Sequence, residues 1–177
     1  MQLIRGLVNL RPHSLGQQRG CVATIGNFDG VHLGHQAVLG QLAEKAAELN
    51  LPAVVITFEP YPQEYFVRDA VPPRLTRFRE KVQALRRYSI DKVLCLHFNT
   101  ALAGTTAQEF IRTVLVDGLD VRYLVVGDDF RFGKQRQGDF AMLRAAGAEY
   151  GFHVVNRHTF SIDGARVSST RIRAALA

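Results

Sequence analysis

The stretch CVATIGNFDGVHLGH, residues 21–35, decides how this chain folds. It opens with the apolar, β-branched run Cys21–Ile25, passes through a loop that contains Gly26 and Gly30, and then enters a segment of helical periodicity. A run without polar alternation fits a strand that is buried on both faces, as in a parallel sheet. The stretch therefore predicts a central strand that leads through a glycine-rich loop into a helix.

Four more runs of the same kind follow, separated by segments with helical spacing. The runs are Ala53–Phe58, Val93–Phe98, Tyr123–Val126 and Phe152–Val155. Helical faces are marked by Val38, Leu39, Leu42, Ala46 and Leu49, by Phe78, Val82 and Leu85, by Phe110, Ile111, Val114 and Leu115, and by Phe140, Leu143, Gly147 and Tyr150. This alternation predicts an α/β fold with a Rossmann-like, doubly wound, mainly parallel sheet of five strands.

Local signals refine the boundaries of these elements. Thr106 with Glu109 forms a capping box, and Asp139 can cap the fourth helix. Asp163-Gly164 predicts the turn of a small C-terminal hairpin, and Ser168 or Ser169 can cap a short helix that follows. The longest stretch without regular structure is expected between 59 and 73, where four prolines occur.

Composition excludes several classes of protein. The chain has 177 residues, of which 47% are hydrophobic and 21% are charged, so disorder is excluded and residues 1–177 are expected to form a single domain. Cys21 and Cys95 both lie in apolar runs, which indicates reduced core thiols and a cytoplasmic location. The first residues do not resemble a secretory signal and no run is long enough to span a membrane, so neither a signal nor a membrane partner is expected.

The net charge of +6 is compatible with an anionic ligand or with nucleic acid, but equally with a solvated basic surface. Arginine supplies most of this charge, and its planar guanidinium suits bidentate contacts to phosphate. Charge alone does not decide among the three interpretations.

The loop at 26–35 has the chemistry of a phosphate site. His32 and His35 are three residues apart on the first turn of the helix, where free backbone N–H groups and the positive end of the helix dipole also point. Gly34 between them leaves room for a nucleotide to lie against the helix. Zinc binding would need a third ligand that the sequence does not offer, so no metal site is predicted. A purely structural turn and cap is the remaining alternative.

Two later stretches could complete this site. GDDFRFG, residues 127–133, combines carboxylates, an arginine and aromatic rings that could hold ribose, Mg²⁺ and a planar ring, or could be an acidic turn anchored by its phenylalanines. RVSSTRIR, residues 166–173, places three hydroxyl groups at a helix start between Arg166 and Arg173. That pattern favours a second anion site, although an ordinary serine cap would look similar. We expect the two helix starts to converge on one triphosphate.

These motifs carry a family resemblance. GNFDGVHLGH and VSSTRIR resemble the signatures of the nucleotidylyltransferase superfamily. Together with TFEPYP, LTRFREK and VGDDFRFG, they resemble the FMN adenylyltransferase (FAD synthetase) module of bacterial bifunctional riboflavin kinase/FMN adenylyltransferases, in order along the whole chain. The resemblance implies transfer of AMP from MgATP to FMN, which gives FAD and pyrophosphate, in a single nucleotidylyltransferase domain with no nucleic-acid partner.

The resemblance also implies roles for individual residues. The implied ATP contacts are Gly26, Phe28, Asp29, Gly30, His32, Gly34, His35, Ser168, Ser169, Thr170 and Arg173. The implied flavin contacts are Phe66, Phe110 and Phe132, with Asp129 at the reacting phosphates or FMN. The implied catalytic set is His32, His35, Asp129, Arg166, Ser169 and Arg173. From the sequence itself, Phe110 on an apolar helix face equally fits a core residue.

The chain departs from the family pattern in two respects. A riboflavin kinase module normally follows in this family, and none is recognised within 1–177, so riboflavin phosphorylation is not expected here. Asp129 stands where some members carry Asn, which leaves the charge of that contact open. Two rival functions also remain: adenylyl transfer to another acceptor, such as nicotinamide mononucleotide or phosphopantetheine, and non-catalytic binding of a nucleotide or nucleic acid.

Overall fold

A computed structural model describes most of the chain. The described residues are 1–10, 20–67, 71–127, 129–157, 161–162 and 165–176, with side chains described at all of these positions except 157, 161, 162, 165 and 166.

Six parallel strands form the main sheet, one more than the sequence predicted. They are β1 (Gln2–Arg5), β2 (Cys21–Ile25), β3 (Ala53–Glu59), β4 (Lys92–His97), β5 (Val121–Gly127) and β6 (His153–Arg157), in the spatial order β1-β4-β3-β2-β5-β6. The added strand, β1, lies at the edge beside β4 and buries only Ile4, so it lacks the continuous apolar run that marks the other five. Five was therefore the wrong count, while the doubly wound, mainly parallel architecture is confirmed.

Seven α-helices connect or follow the strands in the described ranges. They are α1 (Leu33–Leu49), α2 (Pro62–Phe66), α3 (Phe78–Leu85), α4 (Thr100–Gly104), α5 (Ala107–Phe110, continued by a π-helical segment over Ile111–Val116), α6 (Phe140–Tyr150) and α7 (Ser169–Leu176). The predicted caps are confirmed: Thr106 and Glu109 form a capping box, and the Asp139 carboxylate accepts from the Met142 N–H at 2.9 Å. None of these helices is long and apolar enough to cross a membrane.

Two local predictions concern the middle and the end of the chain. The stretch expected to be irregular contains α2, because Pro62 occupies the first turn of a helix, where its missing N–H costs nothing. The C-terminal hairpin is confirmed by antiparallel pairing of β7 (Ser161–Ile162) with β8 (Ala165–Arg166). The turn predicted at 163–164 lies outside the described residues.

The core lies on both faces of the sheet, as the apolar runs predicted. On one face α1 and α3 cover strand residues such as Val22 and Val55. On the other face α5 and α6 cover neighbours such as Ala23 and Ile56. Because both faces are covered, ligands can reach the strands only at their ends.

The strand order places a switch point beside β2. From β2 the chain first winds outward through β3 and β4, and later continues on the other side of β2 with β5 and β6. In open sheets of this kind the loops separate at such a point, which leaves a crevice beyond the carboxyl ends of the two central strands.

Candidate active site

The loop after β2 has a backbone conformation that few sequences allow. Phe28 adopts left-handed angles with φ 51° and ψ 36°, and Gly30 has φ 78°. A Cβ atom at Gly30 would lie 2.9 Å from Cδ1 of Leu75. Glycine is therefore required at position 30 both by the turn and by the close approach of the segment around Leu75.

His32 and His35 form a stacked pair at the start of α1. His32 is the N-cap, and its Nδ1 accepts from the His35 N–H at 3.4 Å. The two rings lie 3.6 Å apart with an interplanar angle of 19°. The predicted shared face is thus confirmed, and it brings both imidazoles to one wall of the crevice.

His35 is neutral in the folded protein. Burial, and after it the neighbouring His32, lowers the pKa of His35 to about 3. Its Nδ1 is buried and has no hydrogen-bond partner among the described residues. A neutral imidazole keeps one N–H donor, so this ring can donate to an anion without carrying charge.

The start of α7 meets the start of α1, as the two motifs predicted. The Ser169 hydroxyl donates to the backbone carbonyl of Asp29 at 3.1 Å, across 140 residues of sequence. A Cβ atom at Gly34 would lie 3.2 Å from Nδ1 of His32 and 3.5 Å from the carbonyl oxygen of Val167. The two helix starts therefore line one crevice, and they meet at Gly34.

Asp29 lies at the centre of this junction and is only 2% exposed. Its carboxylate accepts from the N–H groups of Leu75 and Thr76 at 3.0–3.1 Å and is paired with the Arg173 guanidinium. Burial alone would raise the pKa of Asp29, but the hydrogen bonds from Leu75, Thr76 and Arg173 outweigh it and hold that pKa below its usual value. Asp29 lines the crevice, yet its carboxylate is hydrogen-bonded to donors of the protein itself.

The loop after β5 forms the opposite wall, as predicted for the switch point. Gly127, Asp129 and Phe130 line the crevice, and Asp129 is exposed. Asp128 lies outside the described residues. Phe130 stacks on Phe132, with ring centroids 5.5 Å apart and an interplanar angle of 11°. An aromatic layer therefore backs this wall.

The three predicted flavin contacts lie in different surroundings, and none lines the crevice. Phe110 and Phe132 are 3% and 7% exposed and belong to the hydrophobic core, where their rings lie 5.7 Å apart. Phe66, at the end of α2, is 64% exposed and makes T-shaped ring contacts with Tyr65 and Phe98. Of the three, Phe66 alone presents a ring that a ligand could reach directly.

Of the remaining predicted residues, only Arg166 has a side chain outside the described set. Ser168, Thr170 and Arg173 line the crevice, and the Ser168 hydroxyl caps α7 by accepting from the Arg171 N–H at 3.3 Å. Arg166 lies in β8. In the described ranges, no three His, Cys, Asp or Glu side chains are grouped so that they could hold a metal ion.

The crevice has a volume of about 340 Å³ and is lined by polar and apolar surface in similar amounts. Sequence reasoning missed one side of it, which Tyr61 and Gln63 supply. The Tyr61 ring is held by the Arg74 guanidinium, whose carbon lies 4.5 Å from the ring centroid, while Arg74 is itself paired with Glu59 at 2.7 Å.

Sequence reasoning also missed Lys81, which is 0% exposed beneath the loop after β2. Burial lowers the pKa of Lys81 to about 8. The motif TFEPYP contains Tyr61 and the motif LTRFREK contains Lys81, so the signal was present. Neither motif by itself says which of its side chains turn inward.

Comparison with known proteins agrees with this geometry. The family model described as FAD synthetase matches residues 14–171. Bifunctional riboflavin kinase/FMN adenylyltransferase of Escherichia coli K12 is 52% identical over 177 residues, which cover 100% of this chain and 56% of that protein. The protein of the same name from Pseudomonas fluorescens is 53% identical over 177 residues, which cover 100% of this chain and 55% of that protein. The chain thus spans about half the length of the curated relatives it matches.

Solved structures share the fold. A chain named macrolide-efflux protein from Streptococcus pneumoniae has a TM-score of 0.81 at 26% identity, over 98% of this chain and 56% of that one. Pantothenate synthetase from Thermus thermophilus has a TM-score of 0.58 at 16% identity, over 97% of this chain and 67% of that one, and shows the fold alone. By its family match and by its identity to relatives along its full length, this chain belongs to the FAD synthetase family.

Proposed function

We propose that residues 1–177 act as an FMN adenylyltransferase domain, which transfers AMP from MgATP to FMN and releases FAD and pyrophosphate. The observation that carries this proposal is the meeting of two helix starts at one crevice, where the Ser169 hydroxyl donates a hydrogen bond to the Asp29 carbonyl at 3.1 Å. Each helix start offers free N–H groups to anions, so together they suit a polyphosphate. The names of the relatives join a riboflavin kinase to an FMN adenylyltransferase, and we propose only the second activity for these residues.

The reaction is an in-line displacement at phosphorus. An oxygen of the FMN phosphate forms a bond to the α-phosphorus of ATP, the bond from that phosphorus to the α–β bridging oxygen breaks, and the electron pair leaves with pyrophosphate. Mg²⁺ enters with ATP as part of the substrate. Such a transfer needs alignment and neutralisation of charge more than a protein nucleophile.

The side chains of the crevice fit these tasks. Neutral His35 and its partner His32 donate N–H groups to the phosphates near the reacting centre, and donors fixed before the reaction stabilise charge that develops on the leaving group. Ser169, Thr170 and Arg173 hold the β and γ phosphates at the start of α7, with Arg166 beside them. In this arrangement Arg173 keeps its ion pair with Asp29 and donates its remaining N–H groups to the phosphates.

The acceptor contacts that we propose come from the loop after β5 and from α2. Asp129 contacts the FMN phosphate or its ribityl chain, and Phe66 offers an exposed face to the isoalloxazine ring. Phe132 and Phe110 act from behind, since Phe132 supports Phe130 in the crevice wall. Cys21 and Cys95 are buried free thiols, which supports a cytoplasmic setting for this chemistry.

The proposal is tested by an acceptor panel. The protein is incubated with MgATP and with FMN, nicotinamide mononucleotide or phosphopantetheine, and both pyrophosphate release and the adenylylated product are measured. Of the three acceptors, we expect only FMN to give an adenylylated product. Turnover of nicotinamide mononucleotide without turnover of FMN would replace FMN as the acceptor, and salt-sensitive DNA binding without any FAD would replace catalysis by nucleic-acid binding.

The role of His35 is tested in the same assay. His35→Ala should lower kcat at least about 100-fold, because a donor to the developing charge is lost. His153→Ala is the matched control, since His153 is exposed on β6. Equal FAD formation by the two variants would contradict the assigned role of His35.

A further inference from the structure

Lys81 is a fully buried cation that the proposed reaction does not use. It lies in α3 with 0% of its surface exposed. Lysine is almost never fully buried unless its ammonium is well paired, because removing the charge from water is costly. A lysine kept in such a place calls for a specific partner.

The partners of Lys81 belong to the loop that lines the crevice. The Lys81 ammonium donates to the backbone carbonyl of Asn27 at 3.0 Å and to the Thr57 hydroxyl at 3.1 Å. The Thr57 hydroxyl donates in turn to the same Asn27 carbonyl at 3.4 Å. The nitrogen also lies 4.6 Å from the centroid of the Tyr61 ring, a cation–π distance.

These contacts orient one peptide unit. Asn27 lines the crevice, whereas Lys81 and Thr57 are buried beneath it, so the Asn27 carbonyl points into the protein. In a planar trans peptide the N–H is antiparallel to the carbonyl, so the N–H of Phe28 points the opposite way. Phe28 itself has left-handed angles, which cost a non-glycine residue about 1 kcal/mol or more and persist only when the surroundings impose them.

We propose that Lys81 is a positioning residue for the nucleotide: its ammonium holds the Asn27–Phe28 peptide so that an N–H, and not a carbonyl oxygen, faces the polyphosphate. If the peptide turned over, the Asn27 oxygen would repel the phosphates from inside the crevice. This inference rests on the proposed function for the identity of the ligand. The geometry of the Lys81 contacts is independent of the reaction that follows.

The test compares Lys81→Met with Arg79→Met. Methionine keeps most of the length and volume of the lysine side chain but cannot donate, and Arg79 is an exposed cation on the same helix. Binding of a non-hydrolysable ATP analogue is measured by calorimetry, and KM for ATP, kcat and thermal unfolding are measured beside it. We expect Lys81→Met to raise the Kd of the analogue and the KM for ATP about tenfold, the effect of losing one charged hydrogen bond. Arg79→Met should change neither.

A purely structural role would give a different pattern. Partial unfolding lowers the amount of active protein, and so the apparent kcat, while KM for ATP stays constant. Unchanged affinity in Lys81→Met with lowered stability would therefore overturn the proposal. Thr57→Val, which keeps the volume and removes the hydroxyl, is the second variant if Lys81→Met does not fold; we expect it to weaken analogue binding about threefold, and wild-type affinity would overturn the proposal equally.

The proposed function and this inference can fail separately. If the wild-type protein binds the analogue but makes no FAD, the proposed reaction is rejected, and the comparison of Lys81→Met with Arg79→Met still decides the role of Lys81. If the wild-type protein binds no adenine nucleotide, both are rejected.

Discussion

At the scale of single residues, the crevice depends on side chains whose protonation the fold controls. Asp29 remains ionised because backbone N–H groups and Arg173 surround its carboxylate. His35 remains neutral because its ring is enclosed beside His32 and Phe28. Neither state could be read from residue type, since aspartate and histidine at a phosphate site can equally face the ligand or the protein.

The neutral state of His35 predicts a loss of stability in acid. The unfolded chain binds a proton at His35 near pH 6.5, while the folded chain does so only near pH 3, so the unfolded state holds more protons between these values and stability falls as the pH is lowered through that window. Between pH 7 and pH 5, protonation of this one group in the unfolded state should lower the free energy of unfolding by about 2 kcal/mol.

Urea unfolding at pH 7 and pH 5 measures this cost. His35→Gln should lose about 2 kcal/mol less than the wild-type protein between the two pH values. His153→Gln, at an exposed position, should follow the wild-type protein. A His35→Gln variant with the wild-type pH dependence would show that His35 titrates normally in the folded state.

At the scale of elements, close approach between a helix and the following strand is set by a missing side chain. In α6 a Cβ atom at Gly147 would lie 2.3 Å from the carbonyl oxygen of Phe152, where the chain turns back toward β6. The Phe152 N–H also donates to the Gly147 carbonyl at 3.0 Å. The helix can therefore sit this close to the turn only with glycine at 147.

Two glycine-to-alanine changes should have opposite signs. Gly147→Ala should destabilise the fold by about 2 kcal/mol or more, because the new methyl group forces backbone apart. Gly40→Ala in α1 should stabilise by about 0.5–1 kcal/mol, since a Cβ atom there would meet nothing within 4 Å beyond its own helix backbone and alanine favours a helix. Urea unfolding of both variants gives the two values, and equal effects would contradict the packing described for α6.

At the scale of the whole molecule, most of the architecture follows from the sequence, whereas most of the side-chain contacts around the crevice do not. Strands buried on both faces have continuous apolar runs, so five of six were predicted, and β1 was missed because an edge strand of four residues lacks that signal. The starts of α1 and α7 meet at one crevice, as the two motifs predicted. The inward turn of Tyr61 and Lys81 depends on tertiary packing between α3 and the loops, which sequence spacing does not encode.

Because the crevice joins segments 140 residues apart, a nucleotide should protect both at once. Hydrogen–deuterium exchange with and without the non-hydrolysable ATP analogue should show slowed exchange in residues 26–35 and in 167–173 together. Residues 89–91, which precede β4 at the opposite end of the sheet, serve as the internal control. Protection of only one of the two segments would show that the two helix starts do not bind the same nucleotide.

The meeting of the two helices at Gly34 has a consequence for how this site can vary. A Cβ atom at this position would lie 3.5 Å from the Val167 carbonyl oxygen, an ordinary contact, and 3.2 Å from the His32 ring, which would have to move by a few tenths of an ångström. A side chain longer than that of alanine would need more room between the starts of α1 and α7, which would widen the crevice. The width of the crevice at this point is therefore set by the size of the residue at position 34.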